Sequence, residues 1–274
     1  MTYSTGKLAV ITGAGSGIGR ALAQQLNAQG CKLLLSDISE EGLAATVDSL
    51  TDKSALAQTR VIDVADKDAM YAWANDIDAE HGHIDILINN AGVALMATVE
   101  DSQYQDIEWL MNINFWGVVY GTKAFLPLLR KSTQGHLVNL SSLFGMVGVP
   151  TQSAYNAAKF AVRGFTEALR HEMNGTNVHV CCVHPGGIKT NIARNSRSTD
   201  SIATADERHD DFSKMASTTA ESAAAQIITA IEKRKVRLLI GKDAKFIIML
   251  SRLFPVGYGR FLPGIGKNLD AITR

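Results

Sequence analysis

Cysteine is scarce in this chain of 274 residues: only Cys31, Cys181 and Cys182 occur. Three thiols cannot make a disulfide framework, and the adjacent pair would project to opposite faces of a strand, so a reducing, cytoplasmic setting is expected. Net charge is lacking too. Lys plus Arg and Asp plus Glu are both 27, so nothing favours a nucleic acid backbone recognised by bulk electrostatics. Uninterrupted apolar runs, such as Phe246 to Leu250, have about five residues, far below the roughly 20 that cross a bilayer. The opening MTYSTGKLAVITG has no charged segment followed by a long apolar stretch, so neither a spanning nor a secreted protein is expected. There is no repeat or low-complexity tract.

What the chain does have is 46% hydrophobic and 20% charged residues, the balance of a globular protein with a large core. Short apolar runs alternate with amphipathic segments, the pattern of a parallel sheet covered on both faces. Strands are predicted near 7–12, 32–36, 57–61, 85–89, 136–141, 178–183 and 236–240, and helices over 17–29, 40–50, 66–80, 103–131, 153–173 and 219–233, with Ser153 and Thr219 as caps. This is an α/β fold with a doubly wound seven-stranded parallel sheet in one domain, residues 1–241. The polar stretch 188–216 is long for a connection and reads as a lid. Residues 242–274 form a helical, basic, amphipathic C-terminal extension. Residues 232–274 hold ten basic and three acidic residues, a net +7, which leaves −7 on residues 1–231.

The run Leu8 to Thr12 leads directly into Gly13, Gly15, Gly17 and Gly19 and then into a helical segment. Side-chain-free positions let the backbone turn sharply and approach a ligand, and the helix start offers unpaired N–H groups to a phosphate. An ordinary glycine-rich turn is the bland alternative. Asp37 follows the second strand, where a carboxylate accepts from both adenosine ribose hydroxyls and repels a 2′-phosphate, favouring NAD over NADP. Asp37 could equally cap the next helix, although Ser39 can do so as well. Residue 16 is Ser and residue 38 is Ile, so no neighbouring cation offers to hold a 2′-phosphate. Asp63 could meet the adenine amino group or simply close a turn.

Tyr155 and Lys159 are four apart on one helix face. Taken alone the pair is weak, but Ser142 ends the fifth strand, and in an open parallel sheet the ligand crevice lies outside the carboxyl ends of the strands. Asn89 to Gly92 and Pro185 to Gly187 reach the same edge. TGAGSGIG (Thr12 to Gly19), NNAG (Asn89 to Gly92), NFWG (Asn114 to Gly117), Ser142, YNAAK (Tyr155 to Lys159) and PGGIKT (Pro185 to Thr190) together resemble the short-chain dehydrogenase/reductase family over about residues 5 to 240. The resemblance implies a Rossmann-like fold and an oxidoreductase acting on a secondary alcohol or ketone. It makes Tyr155 the general acid and base, Lys159 the cation that favours its phenolate and holds the nicotinamide ribose, Ser142 the partner of the substrate oxygen, and Asn114 the anchor of a proton-relay water. It also implies a cofactor-binding set of Gly13, Gly15, Ser16, Gly17, Ile18, Gly19, Asp37, Asp63, Val64, Asn90, Ala91, Gly92, Tyr155, Lys159, Pro185, Gly186, Ile188 and Thr190.

Zinc at His179, Cys181, Cys182 and His184 is not expected, because strand neighbours face opposite ways and no second ligand pair has a metal spacing. Met111, Phe115, Trp116 and Val119 read as core or subunit contact, and the pairs Asp66/Asp68 and Asp210/Asp211 as exposed charges. The tail departs from the family's short ending, which puts a tetramer in doubt and leaves a homodimer built on the helices of Asn114 and Tyr155 as the family-based expectation. Phe246, Ile247, Met249, Leu250, Leu253 and Phe254 could form one apolar stripe; packing over the substrate crevice or a subunit is preferred to membrane-surface contact. Leu95, Met96, Leu143, Phe144, Met146, Val147 and Val149 surround the expected reacting carbon with no cation among them, which points to a neutral, largely apolar substrate. Lys189, Arg194 and Arg197 in the lid are the cations that could reverse that. A 3-oxoacyl-type reductase, a sugar-nucleotide epimerase and a non-catalytic NAD-binding regulator are the alternatives.

Overall fold

Leu8–Thr12 forms β1, and all five of its residues are buried, as a strand covered on both faces requires. The structure, a computed structural model, describes residues 3–198, 206 and 216–261. Six further strands join β1: β2 (Lys32–Asp37), β3 (Leu56–Val61), β4 (Ile86–Asn89), β5 (Gly135–Leu140), β6 (Val178–Pro185) and β7 (Arg237–Ile240). They pair in parallel in the order β3-β2-β1-β4-β5-β6-β7. The sheet is the doubly wound, Rossmann-like one expected. Its order reverses between β1 and β4, so the crevice opens at the carboxyl ends of those strands.

Alternation along β1 serves both faces. Ala9 and Ile11 join the core under α1 (Gly17–Ala28) and α7 (Ala220–Glu232), where Leu22, Leu26, Ile227 and Ile231 pack. Leu8 and Val10 join the core under α3 (Lys67–His81) and α5 (Gly117–Lys131), where Trp73 meets Phe125 edge-on at 5.2 Å. The remaining α-helices among the described residues are α2 (Glu40–Asp48), α4 (Tyr104–Met111), α6 (Ser153–Glu172) and α8 (Lys242–Leu253). Cys31, Cys181 and Cys182 are all buried, and desolvation pushes each thiol up to about 12.

Three expectations need correction. The helix expected over 103–131 is interrupted by a five-residue π-helical segment, Asn112–Trp116, between α4 and α5. Asn114 causes no visible break in periodicity, yet its side chain is tied to Val93 instead of facing along the helix. Ser153 is not the cap of α6: it is the first helical residue, and Gln152 stands at the cap position without a side-chain bond. The chain enters α6 from a bridge between Ala97 and Gln152, so that pairing sets the boundary. Thr219 does cap α7, accepting from the Ser222 N–H at 3.2 Å.

The stretch expected as a lid is anchored at both described ends. Ile188–Lys189 pairs with Thr218–Thr219, and Arg197–Ser198 pairs with Leu95–Met96. Its middle, with Asp210 and Asp211, lies outside the described residues, as does the tail after 261. The single apolar stripe expected in that tail is the third correction. Ala244 and Ile248 are the buried residues of α8, packed on Leu143 and Val147, whereas Phe246, Met249, Leu253 and Phe254 are exposed.

Candidate active site

Thr12 ends β1, and its hydroxyl accepts from the N–H groups of Asn90 (3.0 Å) and Ala91 (3.1 Å) beyond β4. In return the Asn90 amide donates to the carbonyls of Thr12 (2.9 Å) and Gly13 (3.0 Å). These four bonds fix the glycine turn against the NNAG turn. Gly13 sits at φ +65°, and a Cβ there would lie 2.7 Å from the Ala91 Cα, so only glycine permits the close approach. Gly19 is equally constrained, because its Cβ would collide with the Gly13 carbonyl. At the start of α1 the exposed Ser16 supplies no side-chain cap, and the first turn carries no acid. Its N–H groups and positive dipole end therefore suit an anion.

Asp37 accepts from the Gly15 N–H at 2.8 Å and from the Ser39 N–H at 2.9 Å, while Ser39 caps α2 through the Gly42 N–H at 3.0 Å. Asp37 thus stands at the edge of the glycine turn, with carboxylate lone pairs remaining beyond these two bonds. A pyrophosphate with an adenosine ribose beside Asp37 fits these groups. Arg20, a cation missed in the sequence, also reaches this turn. Its guanidinium donates to the carbonyls of Gly15 and Gly42 and to the Thr46 hydroxyl, tying α1 to α2. The Asp63 carboxylate accepts from the Ala65 N–H at 2.9 Å, closing the turn after β3. Val64 is buried and packs where a Cβ on Gly117 would meet it.

Lys159 is only 4% exposed, and its Nζ donates to the Leu140 carbonyl at 3.1 Å. Burial pushes the ammonium down to about 8. The Nζ lies 5.7 Å from the centre of the Tyr155 ring, within reach of its electron-rich face. Burial raises the Tyr155 hydroxyl above its ordinary value, and a hydrogen bond with Ser142 pulls the other way. The Ser142 hydroxyl accepts from the Phe144 N–H at 3.1 Å, and Phe144 meets the Tyr155 ring edge-on at 6.2 Å. Asn114 is buried and clamps Val93 like a peptide group, accepting from its N–H and donating to its carbonyl, both at 2.8 Å. A Cβ on Gly92 would touch both the Asn114 oxygen and the Lys159 Nζ, so Asn114, Lys159, Tyr155 and Ser142 converge. Thr190 reaches over Gly17, with its methyl 3.1 Å from a Cβ placed there. Gly186 lies against Asp243, which accepts from the Gly187 N–H at 2.9 Å.

Two supporting residues escaped the sequence reading. His184 is fully buried, its Nδ1 lies 3.1 Å from the Ser142 carbonyl, and desolvation pushes it down to about 4. Asn156, next to Tyr155, donates to the carbonyls of Phe144 (2.6 Å) and Val147 (2.8 Å) and accepts from the Val149 N–H (3.1 Å). It staples the loop after Ser142 to α6. No periodicity marks either residue; only proximity in space does.

The model of the family described as short chain dehydrogenase matches residues 7–201. SadH of Mycobacterium tuberculosis is 46% identical over 275 residues, covering 97% of this chain and 98% of that protein. A short chain dehydrogenase/reductase from Burkholderia phymatum, solved in complex with NAD, superposes with a TM-score of 0.83 at 31% identity, covering 92% of this chain and 95% of the other. A short chain dehydrogenase from Mycobacterium paratuberculosis bound to NAD gives a TM-score of 0.74 at 27% identity, covering 86% and 97%. With the sheet order, the clamped glycine turn and these likenesses together, the chain belongs to the short-chain dehydrogenase/reductase family of oxidoreductases.

Proposed function

We propose that this protein is an NAD-dependent oxidoreductase acting on a neutral, largely apolar secondary alcohol or ketone, with Tyr155 as its general acid and base. The observation that carries the reading is the buried Lys159 ammonium 5.7 Å from the centre of the Tyr155 ring. Burying a lysine is costly, and a regulator that only bound a dinucleotide would have no use for it. The bound nicotinamide supplies hydride exchange with the substrate carbon. In carbonyl reduction Tyr155 Oη gives its proton to the substrate oxygen, and in alcohol oxidation it takes one. Lys159 favours the phenolate against the desolvation that raises it, and Ser142 donates to the substrate oxygen as charge develops there. Asn114 holds the turn beyond β4 in place beside Lys159 and anchors the water of the proton relay.

Gly13, Gly15, Ser16, Gly17, Ile18 and Gly19 would hold the pyrophosphate, Asp37 the adenosine ribose, and Ile188 and Thr190 the nicotinamide side. Asp37 favours NAD over NADP because it would meet a 2′-phosphate as a like charge. Apolarity of the substrate is supported by the loop after Ser142, whose residues 143–149 include no cation. Of the three lid cations, Arg194 is paired with Asp206 and Arg197 is paired with Asp106 and stacked on Trp109, which leaves Lys189 as the one without an ion pair among the described residues. Trp116 and Phe160, 43% and 41% exposed beside Asn114 and on the helix of Tyr155, suit a homodimer contact. The test is kcat/KM with NAD for a medium-chain secondary alcohol against a hydroxy acid of equal length. The alcohol should win; a preference for the acid rejects the apolar site.

A further inference from the structure

Helix α8 has two apolar faces. Ala244 and Ile248 close one of them against the loop after Ser142. On the other, Phe246, Met249 and Leu253 are 53%, 51% and 65% exposed, followed by Phe254 and Val256 at 48% and 95%. Their i, i+3, i+7 spacing makes one outward stripe, with Lys242 in line and Lys245 and Arg252 along one edge. Beside that edge runs a groove of about 310 Å³ with Met146, Leu239 and Ile248 in its wall and Arg237, Lys245 and Arg252 around it. Arg237 is paired with Glu167, but among the described residues Lys245 and Arg252 have no ion-pair partner. Asp243, the only acid of α8, bonds to the Gly187 N–H.

Exposed apolar side chains bordered by unpaired cations complement an amphiphile with negative headgroups. A second copy of the chain fits poorly, because a two-fold contact of the stripe with itself would oppose Lys242, Lys245 and Arg252 to the same cations. The whole chain has the matching polarity: +7 on residues 232–274 against −7 on residues 1–231. We propose that the outer face of α8 docks on an anionic lipid bilayer, with Phe246, Met249 and Leu253 at the acyl boundary and the three cations at the phosphate level. Docking brings the Met146 loop to the membrane side of the protein. The inference stands apart from the catalytic reading, since its readout is binding.

The full-length protein is sedimented with vesicles of phosphatidylcholine alone and with about one-third phosphatidylglycerol. It should pellet with the second only, and roughly 0.5 M salt should release it. Lys245→Glu with Arg252→Glu should weaken partition at least about tenfold. Phe246→Ser with Leu253→Ser should abolish it while the elution volume and Tm stay as in the parent. No pelleting with anionic vesicles overturns the proposal. So does unchanged binding by either double variant, or a shift of the Phe246→Ser, Leu253→Ser protein to a smaller species, which would make the stripe a subunit contact.

Discussion

Tyr155 and Asp37 show how much one polar atom can carry. Tyr155→Phe keeps the ring that packs on Phe144 and removes only the phenolic hydroxyl. Turnover should fall by roughly 10² to 10⁴, the usual share of general acid–base catalysis, while fluorescence titration should give an unchanged NADH affinity. Asp37→Ala takes away the carboxylate that accepts from Gly15 and Ser39. Initial rates with both cofactors should show a marked NAD preference in the parent and a much narrower gap in the variant. A parent that prefers NADP would mean that Arg20 leaves its backbone carbonyls to bind the 2′-phosphate. Chemistry at single residues was legible where a residue acts through its own type and position. Tyr155, Lys159 and Ser142 are singled out by their motifs and the family resemblance, and the structure brings Lys159 to the Tyr155 ring. His184 and Asn156 are not, because their partners are backbone atoms of segments distant along the chain or turned by a loop.

At the scale of elements, the loop after Ser142 depends on one side chain. Asn156→Ala leaves two carbonyls and one N–H without their bonds, which should cost about 2 kcal/mol and lower Tm by roughly 4–8 °C. Calorimetry checks the stability. Substrate KM should rise more than cofactor Kd, because the loop borders the substrate side and not the glycine turn. The seven strands were readable because each is a short run bounded by turns, and the central ones, such as β1 and β4, are buried along their whole length, whereas the edge strand β3 has no fully buried residue. The π-helical segment was not, because the residues around Asn114 keep helical spacing and the disturbance comes from Val93, twenty-one residues earlier. The faces of α8 were misjudged for a related reason: Ala244 and Ile248 are small or medium residues, and the larger Phe246 and Leu253 dominate any reading of the sequence alone.

For the molecule as a whole, acid should be the weak direction. His136 and His184 are 1% and 0% exposed, and desolvation pushes both down to about 4. In the unfolded chain they take protons near 6.5, so the stability tied to their neutral forms is complete above that pH and erodes as pH falls toward 4. Each imidazole accounts for at most about 3 kcal/mol. Burial pushes Asp85 up, but bonds from Ser132 and Leu8 and the charge of Lys7 outweigh it and hold the carboxyl below its ordinary value, which adds to the acid loss. Urea midpoints should fall steadily between pH 7 and pH 5, and a flat profile would show that the imidazoles open to water without unfolding. The three buried cysteines give the fold an internal clock. With thiols at about 12 and all three sulfurs buried, a maleimide cannot react until the fold opens, so the labelling rate measures how often β6 and the turn just before β2 part from their neighbours. If NAD binds as proposed, across the carboxyl ends of the central strands, it should slow that rate in proportion to its occupancy.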